Sequence, residues 1–336
     1  MRAYIIRRLL LIIPTLFILT MLVFLSVRFI PGDIVDEMVG MLEDYSLGSV
    51  EIDREAVERM LGLDVPVHVQ YGRWIGVLPT PVRFTGEYYY NGLLQGTFGE
   101  SLFGGAVSIE KDIIDRLPVT FELGFLAIVI GLVIALPVGI YSAIRQDTAA
   151  DYVGRTAAVI GMATPNFWLA LMVMIFPAIW WGWSPPLKLI PFTEDPLGNL
   201  GMFLIPSLIL GTAMSAGTMR MTRTMMLEVL RQDYVRTAWS KGLNERVVIM
   251  RHAVKNALIP VVTLIGMQLP ILVGGSVIME NIFNLPGVGR LFLTALNSRD
   301  YPRIQGLNLF ISAFVMLNFL LVDMIYPYFD PRIRYK

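Results

Sequence analysis

Residue types that could do catalytic chemistry occur in this chain, but their spacing fits no catalytic site. The absence of cysteine excludes a disulfide framework, a thiol nucleophile and a thiolate metal site. The two histidines, His68 and His252, are far apart and lack the helical spacing of a zinc protease. Gly274-Gly275-Ser276 is only the front half of a nucleophile elbow. With no Gly-x-x-x-x-Gly-Lys-Ser/Thr loop either, the chain is not expected to hydrolyse ATP or to hold a cofactor or metal.

A different chemistry, the docking of a basic helical surface on a partner, is predicted between Asp233 and Pro260. Asp233 is a plausible N-cap of a short helix, and Gly242 stands where a left-handed C-cap would end that helix. Asn244 can cap a second helix. The pattern predicts two short amphipathic helices joined at a glycine. The candidate docking residues are the apolar knobs Tyr234, Val235, Ala238, Trp239 and Leu243, the basic rim Arg236, Lys241 and Arg246, and the two structural positions Asp233 and Gly242.

On the second helix, the apolar residues Leu243, Val247, Met250, Val254 and Leu258 are predicted to form a stripe flanked by basic residues. An ordinary basic loop that only fixes membrane orientation is the alternative.

The helices that position these residues are apolar enough to need a lipid solvent. Of the 336 residues, 55% are apolar and 16% are charged, against roughly 25% charged in soluble domains. Six segments are long enough to cross a hydrocarbon core of about 30 Å, and prolines within them predict kinks. We therefore predict an all-α membrane protein, a six-helix transmembrane bundle. The six segments are Leu9–Ile30, Leu117–Ala143, Thr156–Trp183, Leu200–Met219, Ala257–Met279 and Ile304–Tyr326.

A few polar groups within these segments are candidates for a pathway or gate, because burying charge in lipid costs at least about 2.5 kcal/mol. Glu122 and Asp323 lie close to the ends of their spans, where pairing or hydration favours a structural role. The uncharged candidates could line a hydrated path or bond between helices. The possible pathway or gating residues are Glu122, Asn166, Gln268, Asn308 and Asn318.

Basic residues predict the orientation. With a cytoplasmic N-terminus, 16 of the 27 Lys and Arg residues fall on the inner side, eight of them between Arg220 and Lys255. Both termini and the docking stretch are therefore expected in the cytoplasm. The segment 31–116 is acidic, with 15 Asp and Glu against 6 Lys and Arg, and is predicted to be an external subdomain with a helix at Asp53–Leu61. The expected domains are 1–30, 31–116, 117–326 with its docking loop 220–256, and a tail 327–336.

The docking stretch resembles the cytoplasmic signature loop of ABC-importer permeases, in the version of the dipeptide, oligopeptide and nickel permease family. The generic Glu-Ala-Ala of other importer permeases is replaced by Arg236, Thr237 and Ala238, as is usual for this subfamily. Between Trp74 and Leu93 the chain is longer than typical members. In the docking stretch the matching motifs are Asp233–Ala238, Lys241–Leu243, Arg251–Ala253 and Asn256–Pro260. Elsewhere they are Tyr4–Arg8, Arg28–Asp33, Arg73-Trp74, Leu93–Gly96, Gly99–Leu102, Asp112–Leu123, Glu280–Leu291, Arg299–Gln305 and Asp330–Arg332.

The resemblance implies a non-catalytic permease subunit of a type I ABC importer in the cytoplasmic (inner) membrane. A paralogous second permease, one or two ABC ATPase subunits that bind ATP and Mg, and an extracytoplasmic substrate-binding protein are its implied partners, besides membrane lipid; nucleic acid is not expected. Dipeptides, oligopeptides, nickel complexes and oligosaccharides are all possible substrates. The alternatives are a stand-alone secondary transporter, although no inverted repeat is found, and a membrane-embedded hydrolase, which lacks its catalytic set.

Overall fold

The computed structural model describes residues 2–29, 33–45, 53–81, 88–103, 107–184, 186 and 188–329. Residues 82–87 of the insertion, the carboxyl-terminal motif Asp330–Arg332 and the tail from residue 330 lie outside this range.

Almost all regular structure in the described residues is helical, which confirms the all-α prediction. A two-residue antiparallel hairpin pairs β1 (Thr80–Pro81) with β2 (Tyr88–Tyr89). The helices are α1 (Arg2–Ser26), α2 (Ile34–Tyr45), α3 (Arg54–Leu61), α4 (Val67–Ile75), α5 (Ile109–Ile144), α6 (Ala149–Ala163), α7 (Asn166–Trp181), α8 (Pro196–Leu230), α9 (Asp233–Ser240), α10 (Glu245–Val247), α11 (Lys255–Ile282), α12 (Val288–Asn297) and α13 (Tyr301–Phe329). Short 3-10 turns cover Val27–Phe29 and Leu93–Gln95, and a π-helical stretch covers Val248–Val254.

Five stretches of helix in the described part of the chain are long and apolar enough to cross a membrane. They match five of the six predicted spans. The stretches are Leu10–Phe29, Ile109–Ile144, Pro196–Leu230, Glu245–Pro270 and Tyr301–Val322.

The predicted third span is broken into two helices. α6 and α7 meet at an angle of 89° around Thr164 and Pro165. Thr164 is extended, with ψ of 119°, as expected for a residue that precedes proline. The two arms hold 15 and 16 residues, or about 22–24 Å each at 1.5 Å per residue, so neither alone crosses a 30 Å core. The single kinked helix expected at Thr156–Trp183 is replaced by a bent pair, which makes a sixth span if both arms belong to one crossing.

The chain divides into two compact units. The first comprises residues 1–5, 116–290 and 314–336 and holds the docking stretch. Its core packs Leu123 and Ala127 of α5 against Phe203 and Leu210 of α8. The two helices approach so closely that a Cβ added at Gly211 would lie 2.7 Å from the carbonyl oxygen of Ala127. Small residues thus set the helix spacing in this unit, as they do in many membrane proteins.

The second unit comprises residues 6–115 and 291–313. It holds α2, α3 and α4, and the predicted helix at Asp53–Leu61 is confirmed with Asp53 as its N-cap. Arg54 at the start of α3 forms ion pairs with Asp33 and Asp36. The buried Asp300 accepts hydrogen bonds from the Ser101 hydroxyl at 2.5 Å and the Leu102 N–H at 3.3 Å.

In the first unit, a side chain from α13 repairs the proline kink of α11. Pro270 has no N–H, so the carbonyl of Gly266, four residues earlier, loses its helical partner. The side-chain amide of Asn318 donates to that carbonyl at 2.9 Å, and Asn318 is 5% exposed. The Asn318 side chain therefore bonds between helices, which was one of the two roles considered for it.

We predict that Asn318→Ala lowers the free energy of unfolding by about 1–3 kcal/mol, because it leaves a buried carbonyl without a donor. In a Pro270→Ala background the new N–H can bond to Gly266, so the same substitution should cost well under about 1 kcal/mol. Thermal unfolding of the four purified proteins in one detergent measures both costs. Equal costs in the two backgrounds would contradict the assignment.

Candidate docking site

The docking stretch is held between two long helices of the first unit. α8 continues beyond the predicted span end at Met219 as far as Leu230, and Arg231 and Gln232 lead directly into α9. α9 begins at Asp233, and its N-cap is Gln232 without a side-chain cap bond, so the prediction of Asp233 as the N-cap is wrong by one residue. Asp233 instead forms an exposed ion pair with Arg236 at 3.7 Å.

Two of the predicted apolar knobs anchor α9 to its own chain. Val235 is fully buried and Ala238 is 6% exposed, and both pack with Val248 against Val229 and Leu230. In an amphipathic helix lying on the protein, one apolar side must face inward, and these two residues form that side. Their burial leaves them unavailable to a partner in this conformation, which corrects their role from contact to anchor.

Gly242 forms the corner after α9, as predicted. Its φ is +75°, and its N–H donates to the carbonyl of Trp239 at 2.9 Å. A Cβ added there would meet nothing within 4 Å, so backbone conformation and not space calls for glycine at this position. Asn244 then accepts from the Arg246 N–H at 3.0 Å, which confirms the predicted cap of the second helix.

The second helix is not a separate short element, and in this respect the prediction is wrong. α10 passes at Val248 into the π-helical stretch, which passes at Lys255 into α11, and φ and ψ stay helical at both junctions. One run of helical backbone therefore extends from Glu245 to Ile282. π-helical turns occur mostly inside α-helices and frequently at functional sites.

A polar latch joins α9 to this continuous helix. The side-chain amide of Asn256 donates to the Tyr234 hydroxyl at 2.8 Å, and that hydroxyl donates to the His252 carbonyl at 3.4 Å. The latch and the buried Val235–Val248 contact hold the two helices of the docking stretch together. The sequence pattern does not predict the hydrogen bonds of Tyr234. It predicts only that the ring of Tyr234 lies on the apolar side of a helix.

The exposed face of the stretch carries apolar side chains among basic ones. Tyr234, Trp239, Leu243 and Val247 are 41–44% exposed, and Met250 is 57% exposed. The predicted stripe divides, since Val254 is buried while Leu243, Val247 and Met250 face outward. The exposed basic residues around them are Arg231, Arg236, Lys241, Arg246, Arg251 and Lys255. An exposed apolar patch with a polar rim is typical of a protein interaction site.

The candidate pathway residues lie on the four helices α5, α7, α11 and α13. Gln268 donates to the Thr218 hydroxyl at 3.5 Å and lines a small cleft together with Ile128 and Met214. Glu122 is half-buried on α5, and Asn166 is the first residue of α7 after the break. Asn308 is half-buried on α13, in the second unit.

A buried ion pair in the carboxyl-terminal part of α8 was missed by the sequence reasoning. Asp151 of α6 is fully buried and accepts from Nε and Nη2 of Arg223, both at 2.8 Å. The Ser142 hydroxyl and the Asp147 N–H also donate to it. From the sequence, Arg223 contributes only to the predicted membrane orientation. The sequence shows only that Asp151 is an acidic residue at the start of a helix between two spans. That position does not by itself identify a partner distant in sequence.

The chain matches two family descriptions that together cover most of its length. Residues 135–335 match the binding-protein-dependent transport system inner membrane component, and residues 1–124 match the N-terminal part of such membrane components. It is 35% identical over 337 residues to the oligopeptide transport system permease protein AppB of Bacillus subtilis (strain 168), and both chains are fully covered.

A putative peptide transport system permease protein of Brucella abortus (strain 2308) is 38% identical, with both chains fully covered. A glutathione transport system permease protein of Salmonella choleraesuis (strain SC-B67) is 35% identical, with 99% of each chain covered. Among solved structures, an amino acid ABC transporter crystallised with histidines is 15% identical and aligns with a TM-score of 0.48, covering 67% of this chain and 95% of that one.

We predict that Asp151→Ala lowers the free energy of unfolding by about 3–5 kcal/mol, because it leaves the mostly buried Arg223 unpaired. Asp151→Ala combined with Arg223→Met should recover most of that loss. Asp233→Ala, which breaks the exposed pair with Arg236, is the control and should cost less than about 1 kcal/mol. Thermal unfolding in detergent compares the four proteins; similar losses for Asp151→Ala and the control would refute the role of the buried pair.

Proposed function

The chain belongs to the family of binding-protein-dependent transport system inner membrane components, and on this premise we propose how it couples transport to ATP hydrolysis. It is a non-catalytic, multi-pass permease subunit of an ABC importer. We propose that the exposed face of the docking stretch seats in a groove of a cytoplasmic ATPase subunit, with Tyr234, Trp239, Leu243, Val247 and Met250 as its apolar contacts.

The observation that supports this proposal is the continuous helix from Glu245 to Ile282. A short helix that fits into a partner's groove reports the partner's motion only if it is rigidly attached to what must move. α9 is fastened to that helix by the Tyr234–Asn256 latch and the Val235–Val248 contact. When ATP closes the two ATPase subunits, the docking stretch shifts, and the shift tilts α11 between inward-open and outward-open arrangements.

The basic rim fixes the register of docking. Arg236, Lys241 and Arg246 are exposed around the apolar contacts, where complementary acidic groups of the partner steer association more than they add affinity. This assignment places the docking stretch and both termini in the cytoplasm, in accordance with the distribution of Lys and Arg.

Membership of the family supports our proposal for the remaining subunits. A second, paralogous permease provides the other half of the pathway, and an extracytoplasmic binding protein delivers the solute. Because relatives that match over the full length are named for oligopeptide, peptide and glutathione transport, we propose peptides or peptide-like solutes as the substrate class.

Replacing an exposed contact by a charge tests docking. Trp239→Glu and Met250→Glu should reduce ATPase subunits co-purified with the permease by at least about tenfold, since each buries an unpaired carboxylate at an interface. Trp239→Phe, which keeps an aromatic ring, is the control and should retain them. If both Glu variants still co-purify with as much ATPase subunit as the unaltered permease, the proposed contact surface is wrong.

Removing the latch tests transmission separately from docking. Tyr234→Phe deletes the hydroxyl that joins α9 to Asn256 but keeps the ring. In proteoliposomes holding the assembled importer, we expect the ATPase to remain bound while the amount of solute imported per ATP hydrolysed falls severalfold. An unchanged ratio would show that the latch does not transmit motion, and loss of the ATPase would show that the Tyr234 hydroxyl itself acts in docking.

A further inference from the structure

The helix α4 of the second unit packs along the membrane-spanning part of α1. The Tyr71 ring lies 5.2 Å from the Phe24 ring, and its hydroxyl bonds to that of Thr20 at 2.9 Å. Trp74, one turn later, lies 5.7 Å from Phe24. α4 therefore runs beside α1 at the level of Phe24, and the Tyr71 side chain reaches one to two turns towards the amino end of α1, to Thr20 and Phe17.

The position of α1 in the bilayer fixes the depth of α4. The apolar stretch Leu10–Phe29 holds 20 residues, which is about the length needed to cross a hydrocarbon core. Arg7 and Arg8 precede it and Arg28 lies at its far end, so charges prevent it from sliding in either direction. Phe24 is five residues before Phe29, so it lies roughly 8 Å inside the apolar boundary.

The composition of α4 suits that depth. None of its residues is fully buried within the chain, although the Trp74 indole nitrogen is, and the helix is amphipathic. Arg28, in the 3-10 turn that follows α1, donates to its Gln70 at 2.5 Å. An amphipathic helix that lies in a membrane interface sits about 5–10 Å into the boundary between headgroups and acyl chains. Tyrosine and tryptophan, here Tyr71 and Trp74, are enriched at that level of a bilayer.

Apolar residues beside α4 are exposed in the chain alone. Val77, which follows the helix, is 59% exposed, and Leu94 is 69% exposed. Leu94 lies on the 3-10 turn Leu93–Gln95, which is tied to the end of α4 because Gln95 donates to the Gly76 carbonyl at 3.1 Å. The two side chains thus belong to the surface that α4 carries into the membrane.

We propose that α4 and the turns attached to it lie within the leaflet at the carboxyl end of α1, where Val77 and Leu94 contact lipid acyl chains. With the N-terminus of the chain in the cytoplasm, this is the outer leaflet. The external subdomain is then partly embedded in the membrane and is held at a fixed height by the Tyr71–Thr20 and Arg28–Gln70 bonds. The membrane lipid expected as a general partner acquires a specific contact surface outside the spans.

The natural absence of cysteine makes a direct test available, since each introduced thiol is the only one in the chain. Val77→Cys and Leu94→Cys are compared with Met60→Cys. Met60 is 41% exposed on α3, whose remaining residues include Arg54, Glu55, Glu58 and Arg59 and are unsuited to lipid. The full-length chain, assembled in its transporter and reconstituted in phospholipid vesicles, is labelled with a membrane-impermeant maleimide, and with bimane for quenching by brominated phospholipids.

We expect the thiols at 77 and 94 to react at least about fivefold more slowly than the thiol at 60, because an apolar surrounding disfavours the reactive thiolate. Their bimane adducts should be quenched by brominated lipid at least about twofold more than the adduct at 60, since a surface at this depth meets acyl chains. Rapid labelling without quenching at both positions would show that these side chains contact water, which would overturn the proposal. Slow labelling without quenching would show that another protein surface covers these side chains, which would also overturn the proposal. Neither readout depends on ATPase docking or transport, so this inference and the proposed function fail separately.

Discussion

The structure depends on one mechanical constraint, the unbroken helical backbone from Glu245 to Ile282. Its turns are hydrogen-bonded except where Pro260 and Pro270 remove a donor, and Asn318 supplies a substitute donor for the Gly266 carbonyl. We therefore propose that a displacement at the start of this helix tilts the whole of it. Gly242 turns the chain sharply before this helix, and the Tyr234–Asn256 latch fastens α9 back onto it. The docking surface and a membrane-spanning helix are therefore one body.

The lipid environment explains where polar side chains are located inside the first unit. Backbone groups freed by a proline have no water to bond with in the hydrocarbon core, so a neighbouring helix must supply the donor. Asn318 does this for the Gly266 carbonyl. In the carboxyl-terminal part of α8, Asp151 fixes Arg223 close to the point where that helix leads into the docking stretch. These polar contacts hold the helices that carry the docking surface.

Sequence reasoning predicted the spans, the Gly242 corner and the Asn244 cap because each depends on local composition or conformation. It could not separate Val235, which is buried, from Trp239, which is exposed, because both are apolar and only the packed neighbours decide which side faces inward. The 89° break at Pro165 was predicted only as a kink, since proline removes a hydrogen bond without setting the angle. The Asp151–Arg223 pair joins residues 72 positions apart, which no local pattern reveals.

The central claim is tested most directly by photo-crosslinking within the assembled importer. A photoreactive phenylalanine analogue replaces Trp239 on the exposed face of α9, or Val77 beside α4 as the control. The account predicts that the probe at 239 forms its adduct with an ATPase subunit, whereas the probe at 77 forms none with that subunit. An importer in which the probe at 239 reaches only lipid, only the second permease or only water would contradict it.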